Sequence, residues 1–565
     1  MGGSYKGDWR GTPGSALYIG PLFESVGHGY ETTDYKKLDS RLGTNEDLTA
    51  FVAYCHEQGI KVIFDGVFNH TGRDFFAFKD IQVNRENSQY KDWYCNVNFW
   101  GNNEYNDGFS YDNWGGYNLL VKLNQKNPAV VDYICDVIRF WVSEFDVDGI
   151  RLDAADVLDF DFMKALRRTA NEVKPDFWLM GEVIHSDYSR WVNGETLHSV
   201  TNYTLHKALY SGHNDHNYFE IAHTVRRLQN MGTLKLYNFV DNHDVERIYT
   251  KLTNKAHFAP VHVLLYTLPG VPSIYYGSEF GIEGRKEYGS DDSLRPALNI
   301  EDYKDSVKTN PCTALIAALG KVRQAVPALS YGSYDELMLT NRQFAYARDL
   351  DGTRVIVSVN NDDAPAGMHL AAGNCTAYIG ALSGEKVSVQ DGHINITQPA
   401  NSGEIWVPEG TDLDVKPVKV VTKTESEAKT NTEDKAASET ATDAKGNKEA
   451  DPKIESKESK DIVTATESAD AKKNTTNTEK NISAANEVKD SAKDASAQAA
   501  ADTPVDPETI TVDWSKSPES MTVPELQAAI LAKLAGNGPV DAQMKKTVTD
   551  NIWHDSLVNW LKSFR

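Results

Sequence analysis

No apolar stretch in the chain reaches the roughly 18 residues that a membrane-spanning helix needs, so none is expected. Basic residues are in short supply: 58 lysines and arginines stand against 81 aspartates and glutamates, a net charge of −23 over 565 residues. That deficit argues against nucleic acid and against an anionic membrane surface as partners, since both must be met by positive charge. Cysteine is scarce. The five residues Cys55, Cys95, Cys135, Cys312 and Cys375 are odd in number and never spaced C-x-x-C, which points to buried free thiols rather than a disulfide framework or a zinc knuckle. The opening residues MGGSYKGDWRG lack the apolar core of a secretory signal, so a cytoplasmic location is the default expectation. From about 411 to 500 there is no aromatic residue at all. Such a segment of Lys, Glu, Asp, Thr, Ser, Ala and Asn cannot bury enough apolar surface to offset the entropy of ordering, and a disordered charged linker is expected over 411–510.

What the chain does have is a repeated local grammar. Apolar strands are expected at 15–23, 61–69, 148–154, 177–183, 199–204, 234–242 and 272–280, with helical patterns between them such as 45–58 and 129–145. Alternation of this kind predicts a parallel sheet closed into a TIM-type (β/α) barrel over residues 1–330. Several of the strands end in charged residues, which would gather at the C-terminal rim where such barrels place their chemistry. Residues 331–410 change character to short alternating strands with turn signals and predict an antiparallel β-sandwich. The stretch 71–125, rich in aromatic and Asn residues, is expected to form one wall of a cleft as irregular structure. Residues 511–565 predict a small helical module, with Thr522 and Glu525 as a capping box and an apolar row Leu526, Ile530, Leu531, Leu534. A second helical pattern runs from Met544 to Phe564, and a docking partner for this module is one reading of it.

The strand ends carry the chemistry. DGVFNH supplies Asp65, Asn69 and His70; GIRLDAAD supplies Arg151 and Asp153; GEV supplies Glu182; FVDNHD supplies Asp241, His243 and Asp244. Arg151 and Asp153, two apart on a strand, point to the same side, and the guanidinium should hold the carboxyl low and ionised, as a nucleophile requires. Glu182 follows the apolar run FWLM, a setting that raises a carboxyl pKa and suits a general acid. Two carboxyls flanking a bond are the equipment of a glycosidase. Asp244 would then steady developing positive charge, His70 and His243 would bind hydroxyls, and loop aromatics such as Tyr30, Trp100, Trp114 and Tyr117 suit stacking on sugar faces. Asp65 and Asn69 read as hydrogen-bonding residues at a strand end, with a calcium ligand as the alternative at Asn69; metal-ligand spacing is otherwise absent and no cofactor is called for.

In this order the four segments resemble the motifs of the α-amylase family, glycoside hydrolase family 13. HGYETTDY (His28 to Tyr35), LVKLN (Leu120 to Asn124), GVPSIYYGSEFG (Gly270 to Gly281) and DDSLRP (Asp291 to Pro296) fit the same resemblance, which spans about 15–410. LVKLN is nearer to the MPKLN of neopullulanases and cyclomaltodextrinases than to the LPDLN of many α-amylases. The resemblance implies Asp153 as nucleophile, Glu182 as acid/base and Asp244 as transition-state stabiliser. It places Arg151, His70 and His243 in the subsite of the cleaved sugar, Tyr30 as its stacking platform, and Asp291 or Asp292 with Arg295 beside it. It also implies eight barrel strands where seven are visible, so the barrel is expected to lack its first strand and helix.

The leading expectation is a retaining hydrolase of α-glucosidic, mainly α-1,4, bonds in starch-derived glucans or maltodextrins, with sugar transfer as a close variant. The competing expectations are a non-catalytic glucan-binding or scaffold protein, or the product of a truncated gene with an impaired barrel. An accessory subunit of a membrane transporter is opposed by the complete catalytic set.

Overall fold

The computed structural model describes residues 5–6, 15–184, 187–232, 235–287, 290–413 and, nearer the C-terminus, 512, 514, 516, 517, 521–535, 548 and 561. The chain divides into two units, Met1–Asn447 and Lys448–Arg565.

In the first unit seven short strands run parallel in chain order: β1 (Ser15–Tyr18), β2 (Ile60–Gly66), β3 (Gly149–Leu152), β4 (Trp178–Gly181), β5 (Ser199–Val200), β6 (Tyr237–Asn238) and β7 (Val271–Pro272). Each of the first four pairs with the next, a parallel bridge from Thr201 to Tyr237 carries the arc on, and β6 pairs with β7. They coincide with the seven strands read from the sequence, though each is shorter. Tyr5–Lys6 pairs antiparallel along the outer edge of β1. The arc is the inner layer of a TIM-type barrel.

The strands are apolar because both faces are covered. Val62, Ile63 and Phe64 of β2 and every residue of β3 and β4 are buried. Gly149 has no room for a side chain, since a Cβ there would lie 2.5 Å from the Trp178 carbonyl oxygen. Helices α1 (Asn45–Glu57), α2 (Pro128–Phe145) and α3 (Phe160–Val173) connect the early strands. Local chemistry sets their ends. Thr44 and Asp47 form a capping box before α1; Asn127 caps α2, with Pro128 in its first turn; Asp146 ends α2 in the left-handed region at φ 53°. One face of α2 (Val130, Ile134, Val137, Ile138, Trp141, Phe145) is buried against the sheet. Trp141 stacks on Phe23 at 4.5 Å and donates its indole N–H to the Tyr35 carbonyl oxygen at 2.6 Å.

The stretch 71–125 is more ordered than expected. It holds a helix, Phe76–Asn84, and a three-stranded sheet of His70–Gly72, Tyr117–Lys122 and Asn113–Trp114, with Tyr117–Lys122 in the middle. Phe75, Phe78, Tyr94, Phe109 and Tyr111 are buried and anchor it to the barrel core, while Trp100 is 98% exposed and Tyr117 largely so. Irregular structure was the wrong expectation because Asn and Gly here close short strands instead of dissolving them.

Beyond the barrel, strands β8 (Ser333–Leu339), β9 (Gln343–Leu350), β10 (Thr353–Asn360), β11 (Ala366–Ala371), β12 (Ala377–Gly380), β13 (Lys386–Ser388), β14 (His393–Gln398) and β15 (Ser402–Pro408) form two antiparallel sheets, one ordered β8-β9-β10-β15-β12-β13 and one made of β11 and β14. Ala345, Ile356, Met368, Leu370, Ile394, Ile396 and Trp406 fill the space between them. The outer face of the larger sheet joins a core with α4 (Phe258–Thr267), a helix apolar almost all round and buried accordingly.

The expected linker lies outside the described residues apart from 411–413. In the second unit α5 (Val523–Ala535) follows Thr522, whose backbone N–H and hydroxyl both donate to Glu525 Oε2. Met521, Leu526, Ala529, Ile530, Leu531, Val548 and Leu561 form its core. Most of the expected second helix, 544–564, lies outside the described residues. Among the described residues no helix is long and apolar enough to cross a membrane.

Candidate active site

Arg151 is the hub. It projects from the third barrel strand, directly across from Asp65 on β2, and its side chain is 4% exposed. Its Nη1 donates to both oxygens of Asp65 at 2.9 and 3.0 Å and to Asp153 Oδ1 at 2.9 Å, and its Nη2 meets Glu182 Oε2 at 2.8 Å. One guanidinium therefore gathers three carboxyl groups from three adjacent strands. Tyr18, at the end of β1, donates its hydroxyl to Asp65 Oδ2 at 2.7 Å. Burial keeps that phenol neutral and able to donate. Tyr18 was invisible as a site residue in the sequence, since it reads there as one more apolar residue in LYIGPLF.

The backbone fixes Asp153 and Glu182. The Asp153 N–H donates to the Gly66 carbonyl, and the Glu182 N–H to the Leu152 carbonyl, so each follows the register of its neighbouring strand. Ala154 then takes a left-handed conformation, φ 46°, unusual for a residue with a Cβ. This turn aims the Ala154 N–H at Glu182 Oε2, 3.1 Å away.

The electrostatics correct one expectation. Burial pushes the Asp153 carboxyl up, to about 7, and the pull of Arg151 in the other direction is outweighed. The spacing Arg-x-Asp reveals the cation but not that three acids share it. Asp65 is likewise raised by burial against the opposing Arg151.

A second group of residues completes the site. Tyr30 Oη and His243 Nε2 are 2.8 Å apart, with the two rings nearly parallel at 12°. His243 Nε2 also lies 3.1 Å from Asp244 Oδ2. Arg295 Nη2 reaches Asp244 Oδ1 at 3.4 Å and Asp291 Oδ2 at 3.2 Å, and its Nε donates to the His243 carbonyl. Lys286 pairs with Asp291 as well. Of the two aspartates, Asp291 is the one that pairs with Arg295. The NHD turn is built by Asn242, whose Oδ1 accepts from the Asp244 and Val245 N–H groups at 2.8 and 3.1 Å. Asp241, grouped with the charged strand ends in the sequence, is a buried brace, accepting from the Ile248 N–H and the Ser278 hydroxyl, both at 2.7 Å. Burial draws His243 down to about 3 and His70 to about 4, so both imidazoles are neutral near pH 7 and act as hydrogen-bonding groups. Tyr30 feels the charges of Asp65, Arg151, Asp153 and Asp244, and His243 those of Arg151 and Glu182, so the two groups of residues form one site.

The alpha-amylase catalytic-domain family matches the chain over residues 13–321. The chain belongs to the alpha-amylase family. It is 34% identical to a cyclomaltodextrinase of Thermoanaerobacter pseudethanolicus over 360 residues, 61% of this chain and 60% of that protein. It is 30% identical to neopullulanase 2 of Thermoactinomyces vulgaris, over 69% of this chain and 68% of that one. A debranching enzyme of Nostoc punctiforme, solved after soaking with acarbose, superposes with a TM-score of 0.62 at 27% identity, covering 69% of this chain and 85% of that chain. The chain spans about 60% of the length of the first of these curated relatives. Alpha-amylase family enzymes are glycoside hydrolases, and the acids gathered around Arg151 lie at the C-terminal ends of neighbouring parallel strands, the rim at which TIM-type barrels carry their chemistry.

Asn69 is fully buried, its Nδ2 lies 3.2 Å from His70 Nδ1, and its Oδ1 has no partner. Among the described residues no group of three His, Cys, Asp or Glu is arranged to hold a metal ion.

Proposed function

We propose that the chain is a retaining glycoside hydrolase that cleaves α-glucosidic, mainly α-1,4, bonds of maltodextrins or cyclodextrins. The observation that carries this reading is the single guanidinium holding Asp153 and Glu182 at the ends of neighbouring parallel strands, with Asp244 across the site. Asp153 Oδ attacks the anomeric carbon as Glu182 protonates the departing oxygen. Glu182, now a carboxylate, then takes a proton from the water that releases the sugar from Asp153. Asp244 faces the positive charge that grows on the ring in both steps. Tyr30 supplies an aromatic face, and His70 and His243 bind ring hydroxyls; a sugar entering must break the Tyr30–His243 hydrogen bond and replace it. The names of the relatives and the LVKLN segment favour maltodextrins and cyclodextrins over long starch chains.

The test is release of reducing sugar from soluble starch, maltoheptaose, pullulan and cyclodextrin by the chain beside its Glu182→Gln variant, with the anomer formed first followed by proton NMR. Turnover giving the α-anomer, reduced by about 10²-fold to 10⁴-fold in the variant, is expected. A β-anomer product would sink the retaining mechanism, and undiminished turnover in the variant would sink the acid role of Glu182.

A further inference from the structure

Arg247 is fully buried, and its side-chain hydrogen bonds all go to neutral groups, with the carboxyls of Asp241 and Glu279 near enough to feel its charge. Nη1 donates to the Tyr276 carbonyl at 2.5 Å and to the Ser278 hydroxyl at 3.1 Å, and Nη2 donates to the Leu294 carbonyl at 2.8 Å. The guanidinium carbon lies 4.3 Å from the Tyr275 ring centre and 5.2 Å from that of Tyr276. Nε is buried without a partner. Burying a cation in this way is expensive, and apolar side chains of similar volume commonly serve stability as well or better. What the fork supplies instead is geometry. It ties together the loop after β6, the loop after β7 and the segment that carries Arg295.

The last link matters because Arg295 is the residue after Leu294, and its guanidinium contacts Asp244, Asp291 and the His243 carbonyl. The same segment is pinned from below. The Arg247 N–H donates to the Gly284 carbonyl, and a Cβ at Gly284 would collide with the Ser293 carbonyl oxygen and lie 2.9 Å from Arg247 Cγ. Ser278, which accepts from Arg247, donates to Asp241, the buried brace at the root of the NHD turn. Arg247 thus grips both sides of the Asp244–Arg295 pair without touching either residue's head group.

We infer that Arg247 is a positioning residue for catalysis, acting through Arg295 to hold Asp244 against the cationic ring of the transition state. The inference rests on the glycosidase reading above. A neutral, bound sugar makes little demand on Asp244, so the effect belongs to the chemical step rather than to binding.

The experiment compares the wild-type chain with Arg247→Lys, Arg295→Gln and the double variant, using kcat and KM on maltoheptaose. Calorimetric affinities for maltotriose and for the cationic iminosugar 1-deoxynojirimycin supply a readout that needs no turnover. Arg247→Lys should lower kcat on the order of 10-fold to 100-fold with KM little changed, the scale of a small misplacement at a reacting centre. Iminosugar affinity should weaken while maltotriose affinity holds. In the Arg295→Gln background the same change should cost less than about threefold more, because the two act in series. Ser278→Ala, a milder cut in the same link, should show a smaller kcat loss that also vanishes in that background, and it stands in if Arg247→Lys does not fold. Multiplying losses in the double variant, or equal weakening of both ligands, would overturn the inference. A folded wild-type chain that neither turns over maltoheptaose nor binds either ligand would overturn the glycosidase reading itself, and this inference with it.

Discussion

Replacing Asp153 by asparagine removes a buried charge while leaving the shape of the side chain almost unchanged, and the amide oxygen can still accept from Arg151. In the folded chain Asp153 titrates near 7, against 3.8 for an ordinary aspartate, because burial disfavours its charged form. The folded state therefore keeps a proton that the unfolded state has already released between those two pH values. Stability falls as pH rises through that window, and the accumulated cost above pH 7 is about 4 kcal/mol. A neutral amide at this position carries no such cost. The Asp153→Asn variant should match the wild type at about pH 4 and exceed it by up to about 4 kcal/mol at about pH 8. At roughly 2 °C per kcal/mol for a chain of this size, the melting midpoint should rise by several degrees on the alkaline side. Turnover on maltoheptaose should fall by more than about 10³-fold at the same time, as removal of a nucleophile demands. Calorimetric melting of both proteins across that pH range, with reducing-sugar assays alongside, reads both effects. A variant less stable than the wild type at alkaline pH, or a stability gap that does not grow with pH, would refute the argument that burial disfavours the charged form of Asp153.

Two further substitutions test the supports of the site. Tyr18→Phe deletes the hydroxyl that donates to Asp65 and should cost about 1 kcal/mol in urea unfolding, the usual worth of one hydrogen bond; no change would mean that Arg151 alone satisfies Asp65. Trp141→Ala opens a cavity beside Phe23 and leaves the Tyr35 carbonyl without its indole donor, and should cost about 3–5 kcal/mol; a loss below about 1 kcal/mol would mean that the second helix does not anchor the barrel wall as its packing indicates.

The barrel was legible because its signal is local. An apolar run that ends in a charge needs only a few residues to recognise, and DGVFNH, GIRLDAAD, GEV and FVDNHD each provide one. What the sequence hid lies between runs. Asp65 and Arg151 are 86 residues apart, and Tyr30 and His243 are 213 apart. The spacing Arg-x-Asp therefore predicted the right neighbour for Asp153 but the wrong direction for its titration, since the depth of its burial, and then the number of acids sharing one guanidinium, depend on strands whose order only the fold fixes. The inserted stretch 71–125 failed for a different reason: His70–Gly72 and Asn113–Trp114 are too short for any periodicity to register, so the longer strand Tyr117–Lys122 between them had no visible partner in the sequence.

Arg151 and Arg247 show how far such reading extends. Both are buried arginines that join distant parts of the site. Arg151 stands out in the sequence because it interrupts an apolar strand, where a charge has to be explained. Arg247 comes after His243, Asp244 and Glu246, among residues that look solvent-exposed, so nothing nearby marks it as buried. The difference is not in their energetics, since each places a cation out of water, but in their surroundings: a buried charge is legible only against an apolar background. The polar turns at the C-terminal rim of a barrel supply no such background. Positioning residues in those turns are therefore the part of such a site that sequence reading will most often miss, and the coupling between Arg247 and Arg295 is where a structure adds most to it.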